Sequence, residues 1–169
     1  MNNKSEFQLV ATGSEFINKG IRATSPVVDK MIESASDRIH MLVYSLGAAE
    51  LLGPLEKKVH AGIKLTMVID RFFETADNRI DPKARKILLE LNNLSYVNIF
   101  SFKQREKGFL HAKVIVVDSK EMFVGSANFS KGGMQNHYEL GFHVKGVECQ
   151  KIAAVIDDLA QNTKLTEPV

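Results

Sequence analysis

Short apolar runs alternate with amphipathic segments along the chain, and this pattern predicts strands that alternate with helices. The run Ile39–Tyr44 is almost wholly apolar and too short for a helix, which is typical of a strand buried on both faces of a sheet. Lys64–Asp70 has the same character. Similar runs predict five further strands, at Glu6–Ala11, Tyr96–Phe100, Lys113–Val117, Met122–Gly125 and Leu140–Val144.

Four segments between or after these strands have apolar residues at helical spacing and carry helix boundary signals. They are a helix capped by Ser25 with Pro26 at its first position, Leu51–Ala61 followed by a C′ glycine at Gly62, a helix capped by Asp81 ahead of Pro82, and Val147–Gln161. Residues Thr163–Val169 lack such a stripe, and we expect them to form a frayed tail.

The order of these elements predicts an α/β fold in which a mixed β-sheet is flanked by helices on both faces, an αβα sandwich. The 169 residues suit a single domain, residues 1–169, with an ordered core at about 5–162. Hydrophobic residues make up 44% of the chain and charged residues 25%, which excludes disordered, collagen-like and coiled-coil proteins. The single cysteine, Cys149, excludes an internal disulfide framework and a cysteine-based zinc site.

The charge and hydropathy of the chain limit its partners. The net charge is only +2, so an anion-binding face must come from local clustering of basic residues. No run of about 18 apolar residues occurs, so neither a membrane span nor a membrane partner is predicted. Because Met1–Glu6 lacks the apolar core of a signal peptide, we expect the protein in the cytoplasm.

The candidate chemistry lies around the strand Lys113–Val117 and the strand that follows it. Alternate residues of a strand share a face, so His111 and Lys113 are expected to project together where this strand begins. Ser126 and Asn128 have the same two-residue spacing just after the next strand. Lysine and asparagine donate hydrogen bonds to phosphate oxygens, and imidazole serves as a nucleophile or an acid–base group. The set therefore suits binding and attack of a phosphate.

The full pattern is His-x-Lys-x4-Asp-x6-Gly-Ser-x-Asn, from His111 to Asn128. It resembles the signature motif of the phospholipase D superfamily, and the order of strands and helices around it extends the resemblance over nearly the whole chain. The resemblance implies a phospholipase D-like fold and a phosphodiesterase activity.

Members of the family normally assemble one site from two such motifs, whereas this sequence has one. The resemblance therefore implies a homodimer in which two His111 residues face each other across a two-fold axis. One His111 would attack phosphorus to form a phosphohistidine, and the other would protonate the leaving oxygen and then activate water. Lys113 and Asn128 would bind the phosphoryl oxygens, with no metal or other cofactor.

Three further motif-associated residues receive predicted roles. Glu139 matches the acidic residue that hydrogen-bonds the catalytic histidine in small bacterial nucleases of the family. Asp118 is part of the signature but lies far along the strand from His111, which favours a structural role. Ser126 either binds the phosphate or shapes the turn.

Basic residues in two loops are candidates for substrate contact. Lys103, Arg105 and Lys107 come shortly before His111, and Arg71 and Arg79 follow the strand Lys64–Asp70. A solvated loop is the alternative interpretation of this basic run. The histidines outside the motif are assigned structural or incidental roles: His40, His60, His137 and His143.

The first substrate hypothesis is a nucleic acid, DNA rather than RNA, because the small single-motif members of the family are mostly nucleases. The alternatives are a phospholipid phosphodiesterase and a non-catalytic module that binds nucleic acid. An intracellular nuclease without sequence specificity needs restraint, which suggests a regulatory or ATPase partner protein.

Overall fold

The computed structural model describes residues 4–47, 51–76, 79–103 and 108–169. These residues form nine strands in one sheet: β1 (Glu6–Thr12), β2 (Arg22–Ala23), β3 (Arg38–Val43), β4 (Lys64–Asp70), β5 (Val97–Phe102), β6 (Val114–Val117), β7 (Glu121–Gly125), β8 (Glu139–Lys145) and β9 (Thr166–Pro168). The α-helices are α1 (Ser14–Ile17), α2 (Thr24–Ser34), α3 (Leu52–His60), α4 (Pro82–Leu91) and α5 (Val147–Gln161). A single π-helical turn spans Gly132–Asn136.

The sheet is mixed, with the strand order β2-β1-β8-β7-β6-β3-β4-β5-β9. Strands β3, β4 and β5 run parallel to one another, while β3 is antiparallel to β6. The neighbours β6, β7 and β8 continue as an antiparallel meander. This arrangement brings the ends of β3, β4 and β7 to the same edge of the sheet as the beginnings of β6 and β8.

Helices pack on both faces of the sheet, which confirms the predicted fold class. One face packs against α2, α3 and α4, and the other packs against α5. Strand β6 shows how one apolar run serves both layers. Ile115 and Val117 belong to the core on the three-helix side, while Val114 and Val116 belong to the core under α5. A continuous Val/Ile run therefore marks a strand that is covered twice.

The helix boundaries follow the predicted signals with one exception. Asp81 caps α4 and accepts hydrogen bonds from the backbone N–H groups of Lys83 (2.8 Å) and Ala84 (3.3 Å). Gly62 follows α3 with φ of +94°, as expected of a C′ glycine. Helix α2, however, begins at Thr24, so Ser25 lies within its first turn instead of capping it.

The fraying expected for residues 163–169 is not what the structure shows. Strand β9 pairs antiparallel with β5, with Thr166 opposite Phe102. The Thr166 side chain is buried, and its Oγ1 donates to the carbonyl of Ala160 at 3.0 Å. Backbone pairing and one buried hydroxyl hold this strand, so the hydrophobic pattern gave no indication of it. No helix among the described residues is long and apolar enough to cross a membrane.

Candidate active site

The motif side chains meet at one edge of the sheet because β6, β7 and β8 are neighbours. His111 and Lys113 immediately precede β6, Ser126 and Asn128 follow β7, and Glu139 is the first residue of β8. In an antiparallel meander the start of β6, the end of β7 and the start of β8 lie at the same edge. The topology therefore brings together residues that are up to 28 positions apart in the sequence.

Lys113 is buried at the base of this group, whereas His111 is exposed. The Lys113 Nζ donates a hydrogen bond to the backbone carbonyl of His111 at 2.8 Å. Burial lowers the pKa of Lys113 below its ordinary value, and the negative charge of nearby Glu139 opposes that shift. An ammonium that is partly desolvated interacts more strongly with a phosphate than one in bulk water.

Tyr44 lies at the centre of the site, although nothing in the sequence distinguished it from the apolar run before it. Its ring centroid is 4.3 Å from that of His111, in an edge-to-face arrangement, and 4.7 Å from the Lys113 Nζ. The Arg79 guanidinium lies 5.2 Å from the same ring. Tyr44 thus supports both the imidazole and the ammonium of the motif.

Asp70 is a second residue that holds the site in place, and the sequence did not reveal it. Its carboxylate is fully buried and accepts hydrogen bonds from the backbone N–H of Leu110 (2.8 Å), from Arg71 Nε (3.0 Å) and from Arg79. Leu110 directly precedes His111, so Asp70 ties the end of β4 to the segment that carries the imidazole. Two guanidinium groups compensate the buried negative charge.

Glu139 has a different hydrogen-bond partner from the one predicted. Its carboxylate accepts a hydrogen bond from the Ser126 hydroxyl. Within the described part of the chain, Glu139 and His111 are not hydrogen-bonded to each other. The Ser126 Oγ also accepts from the backbone N–H of Leu140 at 3.2 Å. Ser126 lies beside the first residues of β8 because Gly125 pairs with Gly141, which explains this arrangement. The exposed His137 lies 3.9 Å from the Glu139 carboxylate.

Asn128 is placed by its neighbours in the loop after β7. Ala127 and Phe129 on either side are buried, and the Phe129 carbonyl accepts a hydrogen bond from the backbone N–H of Gly47 at 2.8 Å. The Asn128 Oδ1 is buried and has no hydrogen-bond partner among the described residues. The amide oxygen is therefore not committed to the scaffold.

Asp118 lies at the opposite end of β6 and acts there on the backbone. It accepts hydrogen bonds from the backbone N–H groups of Ser36, Asp37 and Arg38, each at 2.9 Å, and from the Ser36 hydroxyl at 2.7 Å. Burial acts to raise its pKa, but these donors together lower the pKa below the ordinary value. The hydrogen bonds give Asp118 a structural role in joining the loop before β3 to the loop after β6.

The basic residues proposed for substrate contact have different surroundings. Arg71 is mostly buried between the carboxylates of Asp70 and Glu74. Lys103 is half-exposed, and its Nζ lies 3.6 Å from the Glu167 carboxylate. Arg105 and Lys107 lie outside the described residues. Among the residues that are described, no cluster of three or more His, Cys, Asp or Glu side chains is placed to hold a metal ion.

This fold and site define the class of protein. The chain belongs to the family described as "Cardiolipin synthase, PLD-like domain", whose sequence profile matches residues 28–160. It is 31% identical over 163 residues to the DISARM protein DrmC of Bacillus paralicheniformis (strain ATCC 9945a / NCIMB 11709 / CD-2). That match covers 94% of this chain but 65% of DrmC, so the chain spans less than two thirds of that relative's length.

Solved structures of low sequence identity share the fold. NucT from Helicobacter pylori superposes with a TM-score of 0.75 at 17% identity, over 98% of this chain and 100% of NucT. The phospholipase D family member Nuc from Salmonella typhimurium gives 0.72 at 20% identity, over 98% and 99% of the two chains. Phosphatidylserine synthase from Haemophilus influenzae Rd KW20 gives 0.69 at 10% identity, over 100% of this chain and 41% of the synthase.

Proposed function

We propose that this protein is a phosphodiesterase that hydrolyses nucleic acid through a covalent phosphohistidine, at a site completed by a second copy of the chain. The observation that carries the proposal is the exposed imidazole of His111 beside the buried ammonium of Lys113, at the sheet edge that also holds Asn128. Together these groups supply a nucleophile and donors for the non-bridging oxygens of a phosphodiester.

The reaction proceeds in two displacements. A ring nitrogen of His111 attacks phosphorus, the bond to the leaving oxygen breaks, and that oxygen takes a proton from the partner subunit's His111. That imidazole, now neutral, accepts a proton from water as the water attacks the phosphohistidine. The N–P bond then breaks, which releases the phosphate monoester and restores His111. Two Lys113 and two Asn128 side chains donate to the phosphoryl oxygens throughout.

An exposed apolar strip beside the site supports the dimer. Phe7 and Leu9 of β1 share a sheet face with Leu140 and Phe142 of β8, and Leu9 lies directly opposite Phe142 in the ladder. These four side chains are exposed by 39–61%. Leu140 lies at the same end of β8 as Glu139, with its side chain on the opposite face of the sheet. A second copy of the same strip would cover both surfaces by two-fold symmetry.

Nucleic acid is the favoured substrate because a sugar–phosphate backbone matches the basic and aromatic surroundings of His111. The resemblance of the motif to single-motif nucleases supports the same choice. The matching family profile is named for cardiolipin synthase, so a phospholipid is the competing substrate that an experiment must include.

A substrate panel with two matched histidine variants tests the proposal. Purified protein is assayed on single- and double-stranded DNA, on RNA and on cardiolipin vesicles, each with and without EDTA. We expect DNA cleavage that survives EDTA, because Lys113 and Asn128 provide the phosphate donors. The His111→Ala variant should lose about a thousandfold or more in rate.

His60→Ala is the control variant, since its imidazole is 58% exposed on α3. Within the described residues its one ion-pair contact is with Glu56, at 3.8 Å. This variant should retain wild-type activity. Cleavage restricted to cardiolipin would replace the nucleic-acid substrate, and equal activity of His111→Ala and wild type would refute the proposed nucleophile. Loss of activity in EDTA with recovery in Mg²⁺ or Zn²⁺ would refute the proposed chemistry.

A further inference from the structure

An exposed phenylalanine is part of the aromatic group around the nucleophile. The Phe109 side chain is 49% exposed, and its ring centroid lies 5.6 Å from that of His111 and 5.8 Å from that of Tyr44. Neither the phosphate chemistry nor the core uses this ring. An aromatic ring that stays in solvent beside a phosphate-binding site is a candidate for contact with another part of the substrate.

The ring is held in position by contacts on two sides. It meets His111 edge to face, at an interplanar angle of 86°, and it is tilted by 36° relative to Tyr44. The next residue, Leu110, donates its backbone N–H to the buried carboxylate of Asp70 at 2.8 Å. Phe109 is therefore a preorganised surface, which reduces the entropy lost when a flat ligand binds to it.

We propose that Phe109 stacks on an unpaired nucleobase next to the phosphodiester under attack, and that the enzyme consequently favours single-stranded nucleic acid. The inference rests on the proposed function and adds a base subsite to it. Every base has a π-face, so stacking of this kind binds all sequences. In a double helix the neighbouring base pairs cover these faces, and exposing one costs the energy of flipping the nucleotide out.

Cleavage kinetics on three matched DNA substrates test the base subsite. The substrates are a single strand, the same strand with an abasic residue beside each cleavable phosphodiester, and the corresponding duplex. For wild type we expect kcat/KM on the single strand to exceed both other values by about tenfold or more. In Phe109→Ala the ratio of base-bearing to abasic cleavage should fall towards one, and Phe109→Tyr should restore it.

The ratio separates stacking from a structural effect of the substitution. Loss of a packing contact with His111 would slow all three substrates alike and leave the ratio at its wild-type value. Leu89→Ala, which removes an exposed apolar side chain from α4, should keep both the rates and the ratio. A wild-type ratio in Phe109→Ala, or equal wild-type rates on single strand and duplex, would overturn the inference.

A binding measurement distinguishes failure of the subsite from failure of the proposed activity. Oligonucleotides containing 2-aminopurine are titrated with the His111→Ala protein, and stacking is detected as fluorescence quenching. Quenching that disappears in the His111→Ala/Phe109→Ala double variant supports the subsite even if wild type cleaves no nucleic acid. Binding with the same quenching in both proteins overturns the subsite even if wild type is an active nuclease.

Discussion

The positive charge of Lys113 is only partly compensated by the groups around it in the fold. Burial disfavours the ammonium, and the carboxylate of Glu139 favours it, with the net result that the pKa is lowered. The side chain also gives one hydrogen bond to the His111 carbonyl and lies against the Tyr44 ring. A bound phosphate would supply the missing negative charge, so substrate binding should raise the pKa of Lys113 again.

Replacing Glu139 by glutamine should therefore shift the titration of Lys113. Loss of the negative charge lowers the pKa of Lys113 further, so its ammonium deprotonates earlier as the pH rises. The glutamine oxygen can still accept the Ser126 hydrogen bond. The pH dependence of the Lys113 side-chain NMR signal, assigned with Lys113→Arg, measures this titration separately from the protonation of His111. Glu90→Gln on α4 is the control, and the same Lys113 titration midpoint in Glu139→Gln and wild type would contradict the prediction.

His40 is a buried titratable group that should make stability depend on pH. It lies under α5 with its Nε2 3.3 Å from the Asp157 carboxylate, and burial lowers its pKa below 6.5 in spite of that charge. Well above pH 6.5 the imidazole is neutral in both the folded and the unfolded state. As the pH falls below about 6.5 the unfolded state takes up the proton first, so the free energy of unfolding decreases until the pKa of the folded state is reached.

Urea denaturation at pH 7.5 and at pH 5.5 measures this loss. We expect wild type to lose stability between the two values and His40→Gln to lose less. The exposed His60 provides the control, since His60→Gln should retain the wild-type difference. An equal loss in His40→Gln and wild type would show that other groups determine the acid sensitivity.

At the level of elements, the π-helical turn Gly132–Asn136 determines where Asn128 lies. A Cβ atom on Gly133 would be 2.4 Å from the Asn128 carbonyl oxygen and 2.6 Å from its backbone nitrogen, closer than atoms can approach. The absence of a side chain at Gly133 is thus what allows the turn to pack on the Asn128 backbone. This turn was not predicted, because no hydrophobic period identifies a single π-helical turn.

Gly133→Ala should displace Asn128 and reduce kcat by about 100-fold, while the protein stays folded. Circular dichroism and nuclease rates on the same preparation measure the two effects. Gly53→Ala is the matched control, because its added Cβ would meet nothing within 4 Å on α3. That variant should keep full activity and the wild-type circular dichroism spectrum. Wild-type kcat in Gly133→Ala would contradict the positioning role of the turn.

Some elements of the fold could be predicted from the sequence and others could not, for physical reasons. Strands β3, β4 and β6 are apolar runs covered on both faces, so their pattern is local and the prediction was confirmed. Tyr44 and Asp70 could not be assigned to the site, since their roles depend on contacts with residues 35 or more positions away. The partner of Glu139 was also missed, because it depends on the side-by-side register of β7 and β8.

For the whole molecule, the proposed shared site predicts that inactive chains suppress active ones. One chain supplies a single His111, so a mixed dimer lacks either the nucleophile or the leaving-group acid. When wild type is co-expressed with a ninefold excess of His111→Ala, random pairing leaves about a tenth of the wild-type chains in fully active dimers. Activity per wild-type chain should fall accordingly. The same excess of His60→Ala should cause no such loss, and full activity from a monomeric chain would refute the shared site.

Strand β9 has a consequence for how the protein behaves in solution. It occupies the outer side of β5, and Val169, which directly follows it, donates its backbone N–H to the Ile99 carbonyl at 2.9 Å. An uncovered β5 would present a row of free N–H and C=O groups that can recruit strands from other molecules. Removing residues 163–169 should therefore leave the catalytic group in place but make the protein prone to aggregate, because these few residues protect the edge of the sheet.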